Sequence, residues 1–98
     1  MKIVQKVKIG GFTYPVMLVP DLMKTDQCYG KVSNVRALIK IDEELSPDLM
    51  KATLLHEIFE ALNAENEYNL PHRVITGLAT QFYQVIHDNP EMFENEQV

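Results

Sequence analysis

The stretch from Thr53 to Leu62 constrains the chain most, because as a helix it would carry two different faces. Each helical residue turns by about 100°, so His56 and Glu60, four residues apart, lie one turn apart on the same side. Glu57 projects beside that pair. Apolar residues with helical spacing occupy another flank: Leu55, Ile58, Phe59 and Leu62. The stretch therefore predicts a helix that buries one flank and presents three polar side chains on another.

The order His56-Glu57-x-x-Glu60 has the spacing of the His-Glu-x-x-His zinc helix. In that motif two ligands one turn apart hold the ion, and the Glu after the first ligand acts on a water molecule at the ion. Glu60 stands where the motif has its second His, and a carboxylate is also an established zinc ligand. The alternative interpretation of the same residues is a solvated helix face rich in Glu.

A catalytic zinc ion commonly has three protein ligands and one open position, so the helix pair needs a partner. His72 follows a short link after the first helix, which would return it towards Glu60. We therefore predict His56, Glu60 and His72 as metal ligands and Glu57 as the catalytic base. His72 could instead be a capping or surface residue in the first turn of a helix. His87 lies more than about 20 Å further along that helix and is better interpreted as a cation at its C-terminus.

Two other side chains are weaker candidates. Tyr68 is close enough in sequence to donate a hydrogen bond to a developing oxyanion, although packing at a helix end is its commoner role. Cys28, the only cysteine, could be a zinc ligand or nucleophile, but a small, partly buried thiol in a strand is the favoured interpretation. Four larger side chains are assigned to the core: Tyr29, Met50, Phe59 and Tyr83.

Length and charge narrow the class of protein. The 98 residues fit one small domain, and the 46% of apolar residues can supply its core. Nine Lys and Arg against 14 Asp and Glu, with no basic run, argue against a nucleic-acid binder. A single cysteine fits a reducing compartment. With no signal-peptide core and no apolar run of about 20 residues, we expect a cytoplasmic protein outside the membrane.

Alternating apolar residues predict the strands. A β-hairpin is expected around Gly10-Gly11. The expected strands are Ile3–Ile9, Phe12–Val19, Gln27–Val32 and Val35–Ile41, with a loop or short helical turn over residues 20–26. A helix start is expected at Ser46-Pro47-Asp48, because the N-cap hydroxyl, the Pro and the acid suit a first turn.

The first helix is expected from about Pro47 to about Glu65, and a second carries apolar residues with helical spacing at Ile75, Leu78, Ala79, Phe82 and Ile86. Strands first and helices after them predict an α+β fold, an antiparallel sheet packed against two helices. Residues 1–90 would form this single domain, and residues 91–98 an acidic C-terminal tail.

The run from Leu45 to Ile58 resembles short proteins of phages and prophages of Gram-positive bacteria, which are regarded as minimal zincins, a class of zinc metallopeptidases. The likeness extends to the strands with Tyr29-Gly30 and Ile39–Ile41 and to the segment from Leu78 to Pro90. Leu70–His72 and Phe82–Val85 look like a branch that carries Glu at position 60. The resemblance implies a zincin-like fold, one zinc ion, a peptide or protein substrate and Glu57 as general base.

The leading hypothesis is therefore a zinc metallopeptidase. In zincins the strand before the metal helix commonly borders the cleft, so a peptide is expected to add to the edge of Ala37–Ile41. The alternative is a non-catalytic phage or prophage accessory protein whose helices bind a partner, with a structural metal or none. The oligomeric state stays open.

Overall fold

The structure, a computed structural model, describes residues 1–93. The elements in chain order are β1 (Lys6–Ile9), β2 (Phe12–Val19), α1 (Leu22–Asp26), β3 (Gly30–Ser33), β4 (Leu38–Asp42), α2 (Pro47–Glu65), α3 (His72–Asp88) and a 3-10 turn (Pro90–Phe93). The predicted α+β class is confirmed, with the strands packed against two C-terminal helices. Of the predicted acidic tail, residues 94–98 lie outside the described residues.

The first hairpin turns at Gly10-Gly11, as predicted. Both glycines have positive φ, 57° and 85°, which a two-residue hairpin turn of this hand requires and which glycine adopts without strain. Ile9 pairs with Phe12 across the turn. β1 begins at Lys6 rather than at Ile3, because the ladder with β2 extends only that far.

The sheet is mixed, so the expectation of an antiparallel sheet was wrong. Its order is β1-β2-β4-β3, and β2 and β4 are parallel, with Val16 opposite Ile39 and Leu18 opposite Ile41. Parallel neighbours need a crossover between them, and here α1 and β3 lie in that connection. β3 then pairs with β4 in the antiparallel sense and forms one edge of the sheet.

Both strands of the second hairpin start later than predicted. Ala37 has a φ of 51° and donates to the carbonyl of Asn34, so the turn extends to residue 37 and β4 begins at Leu38. Asn34 also donates to the carbonyl of Ala61 at 3.1 Å, which fastens the turn to α2.

The segment before β3 also differs from the prediction. Gln27 has a φ of 56° at the end of α1, so β3 begins at Gly30. Cys28 therefore precedes the strand instead of lying in it and is half-buried. Tyr29 is 46% exposed, so its assignment to the core was wrong.

The long helix α2 has the predicted bounds. The Ser46 side chain accepts a hydrogen bond from the Leu49 amide at 3.3 Å, and Pro47 is the first helical residue. Leu54 and Ala61 are buried in one cluster with Ile39 and Ile41 of the sheet. α2 is thus the layer on which both the sheet and α3 pack.

Helix α3 packs against α2 through Ile75, Ala79 and Ile86, which are buried. The predicted apolar stripe is only partly covered, because Leu78 and Phe82 are 49% and 42% exposed. No helix within residues 1–93 is long and apolar enough to cross a membrane.

Candidate metal centre

Two of the predicted ligands share one side of α2. The Nε2 atom of His56 lies 3.5 Å from the Oε2 atom of Glu60, one helical turn away. Both side chains are largely covered, with 19% and 25% of their surfaces exposed. The sequence spacing alone predicts this pairing, because residues i and i+4 of a helix are neighbours.

The third predicted ligand meets them from α3. The Nδ1 atom of His72 lies 2.8 Å from Glu60 Oε2, the same oxygen that faces His56. The two imidazole rings approach edge to face, with centroids 5.0 Å apart. One atom from each of His56, Glu60 and His72 therefore lies within 4.8 Å of the other two, and this group could hold a metal ion.

The donor set suits zinc. Two imidazoles and one carboxylate are ligands that zinc takes in proteins, at about 2.0–2.2 Å. A tetrahedral ion at that distance holds its ligand atoms roughly 3.3–3.6 Å apart. The separation of 3.5 Å between His56 Nε2 and Glu60 Oε2 matches this, and the 2.8 Å hydrogen bond from His72 would need to open slightly.

The link between the helices determines where His72 lies. The Asn63 side chain donates to the carbonyl of Leu70 at 3.1 Å and accepts from its amide at 3.0 Å. Glu67 and Asn69 have positive φ values of 54° and 59°, which turn the chain back within a few residues. The reversal brings the start of α3 beside Glu60. Sequence reasoning missed Asn63, although its position three residues after Glu60 placed it next to the site.

Thr76 is a second neighbour that sequence reasoning missed. Its Oγ1 atom lies 3.3 Å from Nε2 of His72, the ring nitrogen that faces away from Glu60. A hydrogen bond to the distal nitrogen of a ligand imidazole holds the ring orientation and its tautomer. The spacing from His72 to Thr76, one helical turn, was the available signal.

Glu57 lies beside His56, Glu60 and His72 but is not one of the residues that could hold the ion. It is 6% exposed, and its Oε2 atom is 4.0 Å from His56 Nε2. Burial, reinforced by the negative charge of Glu60, raises the pKa of Glu57 to about 7. Burial also lowers the pKa of His56, although Glu60 opposes that shift. A carboxyl group that titrates near neutrality is suited to exchange protons with a substrate.

The group opens into a groove of about 800 Å³ between β3 and the two helices. Cys28 also lines the groove, where burial raises the pKa of its thiol and so disfavours the reactive thiolate. One wall consists of β3 and the residues before it; the floor and the far wall consist of α2 and α3. The lining includes residues 27–32, along the edge strand and before it, as well as the predicted ligands and Glu57.

Within residues 1–93, strand β3 presents unpaired backbone groups to this groove. The Asp42 amide donates to the Tyr29 carbonyl at 2.9 Å, so this pair is a hydrogen-bonded pair of the β3–β4 ladder. Because bonded and non-bonded pairs alternate in an antiparallel ladder, Lys31 also bonds to β4. Gly30 and Val32 belong to the intervening pairs, and their amides and carbonyls point to the open edge.

Gly30 lets β3 lie close to α2. A Cβ atom at this position would be 2.7 Å from Thr53 Cγ2, 3.1 Å from the Lys40 carbonyl oxygen and 3.3 Å from Glu57 Cγ. Gly30 lies in a predicted strand, and the structure shows the close approach that this residue permits. A larger residue would push the strand away from α2 and widen the groove.

The remaining candidates lie elsewhere. Tyr68 is 62% exposed and is not among the residues that line the groove. His87 lies in the last turn of α3, with its Nδ1 atom 3.2 Å from Asp88 Oδ1. Tyr83 is half-buried and donates to Asp48 at 2.8 Å, which joins the two helices away from the group.

Comparison of the chain with family models, with curated proteins and with solved structures finds no match. The geometry of the described residues is therefore the basis for assigning a function.

Proposed function

We propose that this protein is a zinc-dependent metallopeptidase of minimal zincin type. The observation that carries the proposal is the meeting of His56, Glu60 and His72 from two helices, with the buried Glu57 beside them. An open strand edge runs along the same groove. Metal ligands, a titratable carboxyl group and a strand edge together support the binding of a peptide and its hydrolysis at a metal.

The substrate would be an extended peptide on β3. The sequence led us to expect the following strand, 37–41, to offer the edge, but β4 lies between β2 and β3 and is hydrogen-bonded on both sides. The free amides and carbonyls of Gly30 and Val32 would hold the peptide backbone by strand addition. Its reactive bond would then lie over His56 and Glu57, because Gly30 packs against the helix at Glu57.

Zinc held by His56, Glu60 and His72 would lower the pKa of a water molecule and polarise the substrate carbonyl. Glu57 would accept the proton of the attacking water and deliver it to the leaving amine. In the metal-free protein burial raises the pKa of this carboxyl group to about 7, and a raised basicity favours its role as proton acceptor. The burial of Glu57 beneath Gly30 keeps bulk water from competing for the same proton.

A second candidate is an accessory protein that binds a partner through its helices, with a structural metal or none. The observation in its favour is a row of aromatic rings: Phe82 packs edge to face on Phe59 at 5.9 Å and on Phe93 at 6.3 Å. Phe82 and Phe93 stay 42% and 48% exposed, and Leu78 beside them 49%. Exposed apolar groups of this kind often mark protein interfaces.

Elemental analysis of protein purified without added metal or a His tag tests the metal, with about one zinc per chain expected. Fluorescein-labelled casein, an unfolded protein, then tests hydrolysis. Glu57→Gln keeps the shape of the side chain and removes the base, so it should retain zinc and lose activity by about 10²- to 10⁴-fold. If the fully zinc-loaded parent leaves casein and a broad peptide panel intact, the peptidase proposal fails and the accessory role replaces it.

A further inference from the structure

A second cavity, of about 330 Å³, lies on the other face of the β3–β4 hairpin. The residues that line it are Lys31, Val32, Ser33, Arg36, Leu38 and Lys40. Three of the nine Lys and Arg residues of an acidic chain are therefore gathered beside the same edge strand that borders the candidate metal centre. The face is positive although the whole protein has a net charge of -5.

Two of these cations lower the stability of the sheet. Lys31 and Lys40 are direct cross-strand partners, and like charges in that position destabilise a sheet. Lys31 is hydrogen-bonded to Asp26, which offsets one charge. Within residues 1–93 neither Arg36 nor Lys40 forms an ion pair. Two positive charges thus remain for a ligand.

Successive residues of β3 face alternately towards α2 and towards the second cavity. Gly30 and Val32 direct their side-chain positions towards α2 and the core, so Lys31 lies on the opposite face. A peptide added to the β3 edge continues the same pleat. Every second residue of that peptide would therefore lie on the outer face, next to Lys31 of β3. The cavity with Arg36 and Lys40 lies just beyond Lys31, within reach of a long acidic side chain.

We propose that Arg36 and Lys40 form a subsite that selects an acidic side chain in an extended peptide bound at β3. The inference rests on the proposed function for the strand-addition mode and adds the class of substrate. Charge complementarity favours Asp or Glu at the peptide positions on the outer face, close to the reactive bond. Apolar or small residues would occupy the alternate positions, which face the groove.

Short fluorescein-labelled peptides that alternate threonine with glutamate, glutamine or lysine test the subsite. One face of the bound peptide then carries only threonine, and a shift of one residue is enough to place the test side chains on the outer face. Fluorescence anisotropy with zinc-loaded Glu57→Gln measures affinity without cleavage. We expect the glutamate peptide to bind about tenfold more tightly than the glutamine peptide at low ionic strength, with the ratio shrinking in high salt.

A pair of charge-reversal variants locates the effect. Arg36→Glu combined with Lys40→Glu should remove the preference for glutamate and favour the lysine peptide. Lys6→Glu combined with Lys8→Glu changes the net charge equally, on exposed residues of β1 at the opposite edge of the sheet. This control should keep the glutamate preference.

Equal affinity for the glutamate and glutamine peptides overturns the proposal, as does an equal loss in the β1 control or an absence of binding by all three peptides. Hydrolysis is judged separately. If the protein does not hydrolyse peptides but still prefers the glutamate peptide, only the peptidase proposal fails. If it hydrolyses peptides without that preference, only the subsite proposal fails.

Discussion

The side chain of Asn63 is hydrogen-bonded to both backbone groups of Leu70, at 3.1 Å to its carbonyl and 3.0 Å to its amide. This pair of bonds joins the last turns of α2 to the link that precedes α3. His72 follows Leu70 by two residues and faces Glu60. Asn63 therefore positions the third member of the candidate metal centre although it contributes no ligand atom.

Replacing Asn63 with Ala should weaken zinc binding about 10- to 100-fold, the range typical of groups that orient metal ligands. The link would lose two hydrogen bonds, and His72 would have to be ordered when the ion binds. Competition with a chromophoric zinc chelator measures the affinity. Asn66→Ala is the matched control, because within residues 1–93 the Asn66 side chain donates only to the Leu62 carbonyl, in the helix that Asn66 caps.

A double-mutant cycle separates positioning from general damage. If Asn63 acts through His72, then Asn63→Ala should cost little further affinity when His72 is already Ala. Equal losses in the two backgrounds would mean that Asn63 affects the site by another route.

Single ligand variants form the second prediction. His56→Ala, Glu60→Ala and His72→Ala should each weaken zinc binding, whereas His87→Ala should not, because His87 lies at the far end of α3. Zinc should also raise the melting temperature of the parent, since an ion that binds only the folded state shifts unfolding by mass action. Isothermal titration and thermal melting of dialysed protein measure the two effects. An unchanged melting temperature in excess zinc would refute the ligand assignment.

The pKa of Glu57 makes the stability of the metal-free protein depend on pH. Because the pKa of Glu57 is raised from 4.5 to about 7 on folding, the folded state binds the proton more tightly than the unfolded chain. The free energy of unfolding should therefore fall as the pH rises from about 4.5 to about 7, by roughly 3 kcal/mol from this group. Above pH 7 its contribution should stay constant.

Urea denaturation of chelator-treated parent and Glu57→Gln across this pH range measures the effect. His56, whose pKa is lowered by burial, titrates with the opposite sign, so the difference between the two proteins isolates Glu57. The parent should lose stability relative to Glu57→Gln as the pH rises. A constant difference would show that Glu57 is not desolvated in the folded state.

The fourth prediction concerns the approach of β3 to α2. Gly30→Ala should destabilise the protein by about 1–3 kcal/mol, because the new methyl group would overlap Thr53 Cγ2. Thr53→Ser removes that Cγ2 atom. Gly30→Ala should therefore cost less in the Thr53→Ser background, by an amount that chemical denaturation can resolve. The same cost in both backgrounds would place the strain at the Lys40 carbonyl instead.

Local sequence patterns predicted the parts of the site that lie within one element. Ser46 and Pro47 mark the start of α2, and helical spacing alone places His56 beside Glu60. Gly10-Gly11 likewise predicts the first hairpin, because its turn needs positive φ at both positions.

The features that sequence could not predict join distant segments. The parallel pairing of β2 with β4 depends on how the chain crosses over. The sequence of either strand does not determine which strand pairs with it. That pairing makes β3 the edge strand, which changes where a peptide could bind. The alignment of Lys31 with Lys40 is visible only once the hairpin register is known. Leu78 and Phe82 follow the apolar spacing of α3, but they stay 49% and 42% exposed, and the spacing does not say how much of the stripe a neighbouring element covers.

Helix α3 packs chiefly on α2 and on the 3-10 turn that follows it, and it supplies one of the three candidate ligands. An ion held by His56, Glu60 and His72 would therefore link α3 to the unit formed by α2 and the sheet. Without the ion, we expect α3 to open as its own cooperative unit while the sheet stays folded. Amide hydrogens of α3 should then exchange faster than those of α2 in chelator, and the two rates should converge when zinc is added.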